Sequence, residues 1–359
     1  MISALDRLFL ERTYELAARG ADNTAPNPPV GAVVVVGDRV LGEGFHHAAG
    51  RAHAEVEALA AAGNARGATL YVSLEPCRHF GRTPPCTQAL LDAGIVRVVA
   101  GTADPTQHGG GAVELRQRHV DVEIAGDARA RELIEVFARS DRDCPYVSLK
   151  MAMSLDGYVA SKPGAVQWVT GEDERVFVRE LRIAHDAVMV GAGTVRIDDP
   201  LLTVRPVATR VRPFVRVVAC ERTQPLETSR VFTPVDGYDR TIVLAPAGAE
   251  MTALKNTADV LSIDGEGTHL DLRAALRALR ARGISSVLCE GGPMLAAALI
   301  AQGLVDRLYW FVAPVMLGSV SAVPVLAGET LNGGPRPLRL ERLERIGRDA
   351  LLRASFTGV

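Results

Sequence analysis

The chain has 359 residues, of which 48% are hydrophobic and 23% are charged, and its formal net charge is −2. This length is sufficient for two domains with separate cores, and the composition is that of a soluble globular protein. The nearly neutral charge argues against a global basic field of the kind that holds nucleic acid, and no apolar run reaches the ~18 residues that span a bilayer.

The N-terminal segment and the cysteines both favour a cytoplasmic protein. The first residues, MISALDRLFLERTYELAARG, form an amphipathic helical pattern that carries acidic residues, unlike a signal peptide. The five cysteines are odd in number and widely spaced, which argues against a disulfide framework. We therefore expect reduced thiols, a cytoplasmic location and no membrane partner.

Strand and helix patterns alternate along the first part of the chain. Two β-branched runs flank Gly37-Asp38, which is typical of a hairpin turn. Strands are predicted at Val30–Val36, Arg39–Gly44, Ala68–Leu74, Val96–Gly101 and Val120–Ala125. Helices are predicted at His53–Ala62, Thr87–Ala93 and Asp127–Arg139. This alternation predicts an α/β sandwich with a central sheet.

The pattern starts again after Cys144-Pro145, where we place a boundary between a domain of residues 1–144 and a domain of residues 145–359. Strands are predicted at Tyr146–Met153, Ala187–Val190, Val215–Ala219, Thr241–Leu244, Ser285–Cys289 and Arg307–Val312. Helices are predicted at Glu172–His185, Asp271–Arg282 and Pro293–Gln302. The second part is therefore a second α/β unit.

One histidine and two cysteines stand at predicted junctions of strands and helices in the first domain. His53 opens a helix, Cys77 follows a strand, and Cys86 precedes another helix. One imidazole and two thiolates suit zinc, and three protein ligands leave a fourth position open, as catalytic zinc requires. Glu55 is close to His53 and is suited to carry a proton from water to a leaving amino group. The pattern predicts a hydrolytic zinc deaminase.

The second cysteine departs from the usual C-x-x-C spacing, because eight residues separate Cys77 from Cys86. The insert between them, RHFGRTPP, contains Arg78, His79 and Arg82, which can bind an anion such as a phosphate. Two alternatives remain open on these residues. One is a nucleotide or nucleic-acid deaminase fused to a reductase-like binding module, and the other is a structural zinc scaffold with His79 as fourth ligand.

In the second domain, three polar or glycine-rich groups lie on predicted strands or directly after them. Lys150 lies on a strand just before the turn-like sequence SLDG, and Gly191–Thr194 follows the next strand. Glu290–Pro293 ends a strand and opens a helix, where a glycine pair allows backbone N–H groups to approach a phosphate. This is not the G-x-G-x-x-G fingerprint, so a dinucleotide contact and a plain tight turn both remain open.

Three stretches carry a family resemblance: PNPPVG (Pro26–Gly31), HAEVEAL (His53–Leu59) and EPCRHFGRTPPC (Glu75–Cys86). They resemble the bifunctional deaminase–reductases of riboflavin biosynthesis, and the resemblance extends over essentially the whole chain. It implies a cytidine-deaminase-like α/β/α sandwich followed by a dihydrofolate-reductase-like α/β domain. The implied substrate is 2,5-diamino-6-ribosylamino-4(3H)-pyrimidinone 5′-phosphate, which is deaminated and then reduced from ribosyl to ribityl.

The resemblance also implies roles for individual residues. Zinc is assigned to His53, Cys77 and Cys86, proton transfer to Glu55, and the deaminase substrate to Asn27, His46, His79 and Arg82. The reductase substrate is assigned to Lys150, Arg182, Leu202, Arg205 and Glu290. NADPH is assigned to Ala152, Trp168, Thr194, Asp198, Gly292, Pro293, Met294 and Leu295. A homo-oligomer is also expected.

Two departures from the family pattern lie in the second domain. Val166 stands where a substrate-contacting serine is usual, and Cys220-Glu221 replaces a common Asp-Ser pair near the cofactor. These differences leave open an active deaminase whose reductase half is inactive or altered in specificity.

Overall fold

The chain forms two α/β units, Met1–Arg142 and Asp143–Val359, in the computed structural model. The structure describes residues 2–21, 23–80, 84–139, 142–166, 168–204, 214–220, 227–264, 269–318, 320–328 and 336–357. Within these ranges, no helix is both long enough and apolar enough to cross a bilayer.

The first unit contains five strands and six helices among its described residues. The strands are β1 (Gly31–Val36), β2 (Arg39–Phe45), β3 (Thr69–Leu74), β4 (Arg97–Thr102) and β5 (Asp121–Ile124). The helices are α1 (Ala4–Gly20), α2 (Ala54–Ala62), α3 (Cys86–Asp92), α4 (Gly111–Gln117), α5 (Ala128–Leu133) and α6 (Glu135–Ala138).

These strands form one sheet in the order β2-β1-β3-β4-β5. The first three are antiparallel neighbours, whereas β3, β4 and β5 run parallel. One face packs against α2, α3 and α4, and the other packs against α1 and α5. The predicted α/β/α sandwich is therefore confirmed.

A glycine in β2 allows α2 to lie directly on the sheet. A Cβ atom added at Gly44 would lie 2.6 Å from the carbonyl oxygen of Ala54, which is far too close. Only a residue without a side chain permits this approach. The contact places Ala54, the first residue of α2, against β2, and His53 is the N-cap residue of this helix.

The second unit contains eleven strands and four α-helices among its described residues. The strands are β6 (Tyr146–Ser154), β7 (Tyr158–Ala160), β8 (Ala187–Gly191), β9 (Val215–Ala219), β10 (Thr241–Pro246), β11 (Ala258–Ile263), β12 (Ser286–Cys289), β13 (Arg307–Ala313), β14 (Val323–Pro324), β15 (Leu338–Ile346) and β16 (Asp349–Phe356). The helices are α7 (Glu172–Ile183), α8 (Ala192–Asp198), α9 (Leu272–Ala281) and α10 (Pro293–Ala301). Two short 3₁₀ turns lie at Arg230–Phe232 and Thr252–Leu254.

Nine of these strands form one sheet in the order β11-β10-β9-β8-β12-β6-β13-β16-β15. The strands from β11 to β13 run parallel, and β16 and β15 are added antiparallel. Helices α9 and α10 pack on one face, and α7 packs on the other. This arrangement agrees with the predicted dihydrofolate-reductase-like α/β fold.

Several elements differ from the sequence-based prediction. The helix predicted at Asp127–Arg139 is interrupted at Ile134, whose backbone (φ −106°, ψ 11°) separates α5 from α6. Helix α4 was not predicted, because its sequence GAVELRQ begins with a glycine and is short. Strands β11, β15 and β16 were also not predicted. In β15 a register shift between Leu340 and Arg342 interrupts the alternation that would otherwise mark a strand.

Candidate active sites

Three ligand atoms converge at one end of the first sheet. His53 precedes α2, Cys77 follows β3, and Cys86 is the first residue of α3. The His53 Nδ1 atom lies 3.2 Å from Cys86 Sγ and 3.6 Å from Cys77 Sγ. Neighbouring ligands around tetrahedral zinc are about 3.3–3.8 Å apart, given bond lengths of about 2.0–2.3 Å. Among the described residues, this is the one group of three with metal-binding geometry, and it fits zinc.

The protein stabilises the thiolate form of Cys77. The Cys86 backbone N–H donates to Cys77 Sγ at 3.3 Å, at the start of α3. Hydrogen bonding from Cys86 and from His53 lowers the pKa of Cys77, so this sulfur carries negative charge. The same interaction raises the pKa of the buried Cys86 thiol. The negative charge of Cys77 therefore favours binding of a cation beside this sulfur.

Glu55 lies in the first turn of α2 and is only 4% exposed. Burial, together with the negative charge of Cys77, raises the pKa of Glu55 to about 7. A carboxyl group with such a pKa can both accept and donate a proton near neutral pH. The structure thus places Glu55 beside the His53 and Cys77 ligands, in the cavity that all three line.

Asn27 and His46 form a hydrogen-bonded pair beside the ligands. The His46 ring makes contacts through both nitrogens, Nδ1 with the Ala52 carbonyl oxygen at 2.9 Å and Nε2 with the Asn27 amide nitrogen at 3.1 Å. Burial lowers the pKa of His46, so the ring is neutral. The His46 ring also meets the His53 ring edge-on, with centroids 5.4 Å apart.

A cavity of about 380 Å³ is lined by Asn27, His46, His53, Glu55 and Cys77. His79, which is predicted to bind substrate, lines it, and its ring lies 4.6 Å from the ring of His108, which lines it too. His108 belongs to the loop DPTQHGGG and was not predicted as a site residue. Arg82, predicted to bind substrate, lies outside the described residues.

Glu75 is a site residue that the sequence-based prediction missed. This buried carboxylate lines the cavity and accepts three backbone hydrogen bonds, from Asp104 at 2.9 Å, Gly110 at 3.2 Å and Ala112 at 2.8 Å. It therefore holds both ends of the loop that carries His108. An acidic residue immediately before Pro76-Cys77, at the end of a buried strand, was the available signal.

A second cavity, of about 270 Å³, lies in the second unit. Eight of the predicted substrate and cofactor residues line it: Lys150, Ala152, Trp168, Thr194, Asp198, Glu290, Gly292 and Pro293. The predicted residues Arg182, Leu202, Met294 and Leu295 are not among its lining residues. Leu202 is buried, Met294 is exposed, and Leu295 packs against the core. Arg205 and Glu221 lie outside the described residues, and Val166 is exposed.

Two ion pairs border this second cavity. Arg182 binds Glu290 through two guanidinium nitrogens, one of them 2.7 Å from Oε2, and donates to the Thr203 carbonyl oxygen at 2.8 Å. The positive charge of Arg182 lowers the pKa of Glu290, although burial opposes this. Lys150 pairs with Glu174, which was not predicted as a site residue. The Glu174 carboxylate occupies a buried position of α7.

The start of α10 provides a cradle for a phosphate. Gly292 precedes Pro293 with φ 90°, a region that only glycine adopts readily. A Cβ atom added there would lie 2.9 Å from the Thr194 hydroxyl oxygen. Because Gly292 has no side chain, an anion can approach the backbone closely, and the positive end of the helix dipole favours negative charge there, so these residues fit the pyrophosphate of a dinucleotide.

The fold and the two sites define a bifunctional enzyme, in which a zinc deaminase unit is joined to an NADPH-dependent reductase unit. Residues 145–352 match the RibD C-terminal domain, and residues 3–102 match the cytidine and deoxycytidylate deaminase zinc-binding region. The chain belongs to the RibD family, the bifunctional deaminase–reductases of riboflavin biosynthesis.

Similarity to members of this family extends over nearly the full length. The chain is 36% identical to the riboflavin biosynthesis protein RibD of Aquifex aeolicus (strain VF5), over 98% of this chain and 99% of the relative. It is 37% identical to RibD of Escherichia coli (strain K12), over 97% and 98%. Acinetobacter baumannii RibD (form 1) has a solved structure with a TM-score of 0.82 and 34% identity, covering 98% of this chain and 99% of that one.

A second solved structure is the diaminohydroxyphosphoribosylaminopyrimidine deaminase/5-amino-6-(5-phosphoribosylamino)uracil reductase of Thermotoga maritima. It has a TM-score of 0.83 and 33% identity, and the match covers 98% of this chain and 99% of that one. The predicted family, fold class and pair of cofactors, zinc and NADPH, are therefore confirmed.

Proposed function

We propose that the chain deaminates 2,5-diamino-6-ribosylamino-4(3H)-pyrimidinone 5′-phosphate and then reduces the ribosyl side chain of the product to ribityl. The observation that carries the first step is the buried Glu55 carboxyl, which lines one cavity with His53 and Cys77, two members of the ligand cluster that Cys86 completes. We assign deamination to the residue range 1–144 and reduction to the range 145–359. The Thermotoga maritima relative is a deaminase of the diaminopyrimidine and a reductase of the aminouracil, which supports deamination before reduction.

In the deaminase cavity, His53, Cys77 and Cys86 hold the metal, and Glu55 moves the protons. Zinc, when bound, supplies a water molecule of lowered pKa as the nucleophile. Glu55 is placed to accept a proton and to donate one to the amino group that would leave the ring as ammonia. Asn27, oriented by its hydrogen bond from the side-chain amide to His46, binds the pyrimidine ring, and the His46 ring forms part of the wall against which the pyrimidine lies. His79 and Arg82 bind the ribosyl phosphate.

In the reductase cavity, the chain's own residues orient substrate and cofactor for a hydride that NADPH supplies. Lys150, Arg182, Leu202, Arg205 and Glu290 bind the phosphoribosyl part of the substrate. Ala152, Trp168, Thr194, Asp198 and the α10 residues Gly292–Leu295 bind the cofactor. The support for this assignment is that eight of these residues line one cavity.

One coupled assay tests both steps. Ammonia release and NADPH oxidation are measured on the diaminopyrimidine phosphate, and both signals are expected in sequence. Ammonia release without NADPH oxidation would indicate an active deaminase whose reductase half is inactive or altered in specificity. Ammonia from cytidine nucleotides or single-stranded DNA, with none from the diaminopyrimidine phosphate, would favour a nucleotide or nucleic-acid deaminase.

We also propose that the protein is a cytoplasmic homo-oligomer. All five cysteines are free, as expected in a reducing compartment. Strand β15 lies at one edge of the nine-stranded sheet and exposes Leu338, Leu340 and Leu343 by 47%, 54% and 65%. Exposed apolar side chains on an edge strand mark a surface suited to a second copy. Light scattering after gel filtration measures the oligomeric state, and a monomer at all concentrations would refute the proposal.

A further inference from the structure

A carboxylate occupies an apolar position of α7. The buried side chains of this helix are Glu174, Val178 and Leu181, spaced at i, i+4 and i+7. This spacing is the core-facing stripe of an amphipathic helix, in which apolar residues are the rule. Glu174 is 3% exposed, whereas its neighbour Glu172 has a side chain that is 90% exposed and pairs with Arg175. A buried carboxylate without a structural partner would be costly.

Lys150 is the cationic partner of Glu174. It lies on β6, its ammonium group contacts Glu174, and its side chain is 15% exposed. The same ammonium lies 5.7 Å from the centre of the Phe311 ring, on the face that α7 covers. Both charged residues line the second cavity. The pair therefore belongs to the cavity wall and is largely shielded from solvent.

The other carboxylate near Lys150 is already engaged. Arg182 contacts both Oε1 and Oε2 of Glu290, which satisfies that group in a bidentate arrangement. Among the described residues, Glu174 is the carboxylate that forms an ion pair with Lys150. Without Glu174, the ammonium on its flexible four-carbon stem would be drawn toward Glu290 and would compete with Arg182.

We propose that Glu174 is a positioning residue of the reductase, which holds the Lys150 ammonium at the place where it meets the phosphoribosyl group. This inference rests on the proposed function of Lys150 as a substrate contact. It adds a residue that acts through Lys150 and does not itself touch the substrate. The first turn of α7 suits this role, because the helix dipole stabilises a carboxylate there.

The first experiment compares Glu174→Gln with its matched control Glu172→Gln, using already deaminated substrate. For Glu174→Gln, kcat/KM for reduction is expected to fall about 100-fold, the size of effect that a misplaced active-site group produces. Its dissociation constant for NADPH, measured by calorimetry, should stay within about twofold of wild type. Glu174→Asp keeps the charge and should recover part of the loss. Glu172→Gln should behave as wild type.

The second experiment asks whether Glu174 acts through Lys150. Lys150→Met is expected to lower kcat/KM strongly, and adding Glu174→Gln to it should cause no further loss. The double variant also removes both buried charges, so it should fold even if Glu174→Gln alone is unstable. Losses that simply add, or a Glu174→Gln variant with normal kcat/KM, would overturn the proposal.

A crystal structure of Glu174→Gln tests the positioning role of Glu174 independently of whether the protein reduces the substrate. The Lys150 ammonium is expected to have moved toward Glu290. An unmoved ammonium refutes the positioning role whatever the kinetics show. Absence of NADPH oxidation by the wild-type protein would instead refute the reductase assignment, and the position of Lys150 in the variant would still decide the role of Glu174.

Discussion

The side-chain amide nitrogen of Asn27 lies 3.1 Å from Nε2 of His46. Because the Ala52 carbonyl oxygen can only accept, His46 Nδ1 carries the ring proton and donates it at 2.9 Å. Nε2 is therefore an acceptor, and Asn27 donates to it. This orientation leaves the Asn27 carbonyl oxygen and one amide hydrogen for a ligand in the cavity that both residues line.

Replacement of Asn27 by leucine should impair deamination and stability together. The leucine side chain has a similar shape but leaves the buried Nε2 atom of His46 without a donor, at a cost of about 1–3 kcal/mol. Ammonia release by Asn27→Leu should fall at least tenfold, and denaturant unfolding of the first unit should shift to lower concentration. Reduction of deaminated substrate by the same variant is the internal control and should be unchanged. Normal ammonia release would show that this pair does not orient the substrate.

Zinc content should depend on the two cysteines of the site. Cys77→Ser or Cys86→Ser removes one of three soft ligands, so purified protein should contain far less than one zinc per chain by plasma mass spectrometry. Cys144→Ser is the matched control, because Cys144 is a free cysteine of the second unit. Equal zinc in all three variants would contradict the ligand assignment.

Glu55→Gln should retain zinc and fold but lose deamination. The amide preserves shape but cannot carry a proton, and general acid–base groups typically contribute about 10²–10⁴-fold. Ammonia release should fall by at least that factor, while NADPH oxidation on deaminated substrate continues. Near-normal ammonia release from this variant would exclude Glu55 as the proton carrier.

The free energy of unfolding of the first unit should decrease at acid pH because of Asp6. This carboxylate accepts from Arg97 at 2.7 Å, from Tyr71 at 2.8 Å and from the Ser3 backbone at 2.8 Å, and Arg97 above all holds its pKa well below the usual value. A lowered pKa stabilises the folded state above the unfolded pKa, near 4, and this contribution is lost as the pH falls below it.

Asp6→Asn should therefore lower the free energy of unfolding at pH 7 by about 3 kcal/mol, because it breaks a buried ion pair. The difference from wild type should shrink as the pH is lowered below about 4, because Asp6 then gains a proton in the unfolded chain while it is still charged in the folded chain. Chemical denaturation at several pH values measures the difference. A gap that stays constant with pH would mean that Asp6 acts by packing and not by charge.

Gly292→Ala should weaken NADPH binding. The new Cβ atom would lie 2.9 Å from the Thr194 hydroxyl oxygen, and the positive φ of 90° would be strained. We expect NADPH affinity to fall about tenfold or more, measured by calorimetry. Gly283→Ala is the matched control, because its φ of 81° imposes similar strain, of about 1–3 kcal/mol, with open space around the Cβ atom. Equal losses of NADPH affinity in both variants would show that α10 does not hold the cofactor.

Much of the deaminase chemistry could be predicted from residues close together in sequence. His53 and Glu55 are two residues apart, and Cys77 and Cys86 bracket a short insert, so residue type and spacing already indicate zinc. The reductase site was predictable only in part. The residues predicted to bind substrate and cofactor are spread over several strands and helices. Leu202 and Met294 do not line the cavity that eight of the predicted residues share.

Four features could be predicted from the sequence: the two α/β units, the zinc ligand set, the family and the glycine pair at the start of α10. Each of them depends on a short motif or on the local alternation of strand and helix patterns. The contacts between polar groups that are distant in sequence could be identified only from the tertiary structure. Glu75 reaches Ala112 across 37 positions, and Lys150 meets Glu174 because α7 packs over β6. Such partners depend on strand order and helix packing, and no spacing along the chain specifies them.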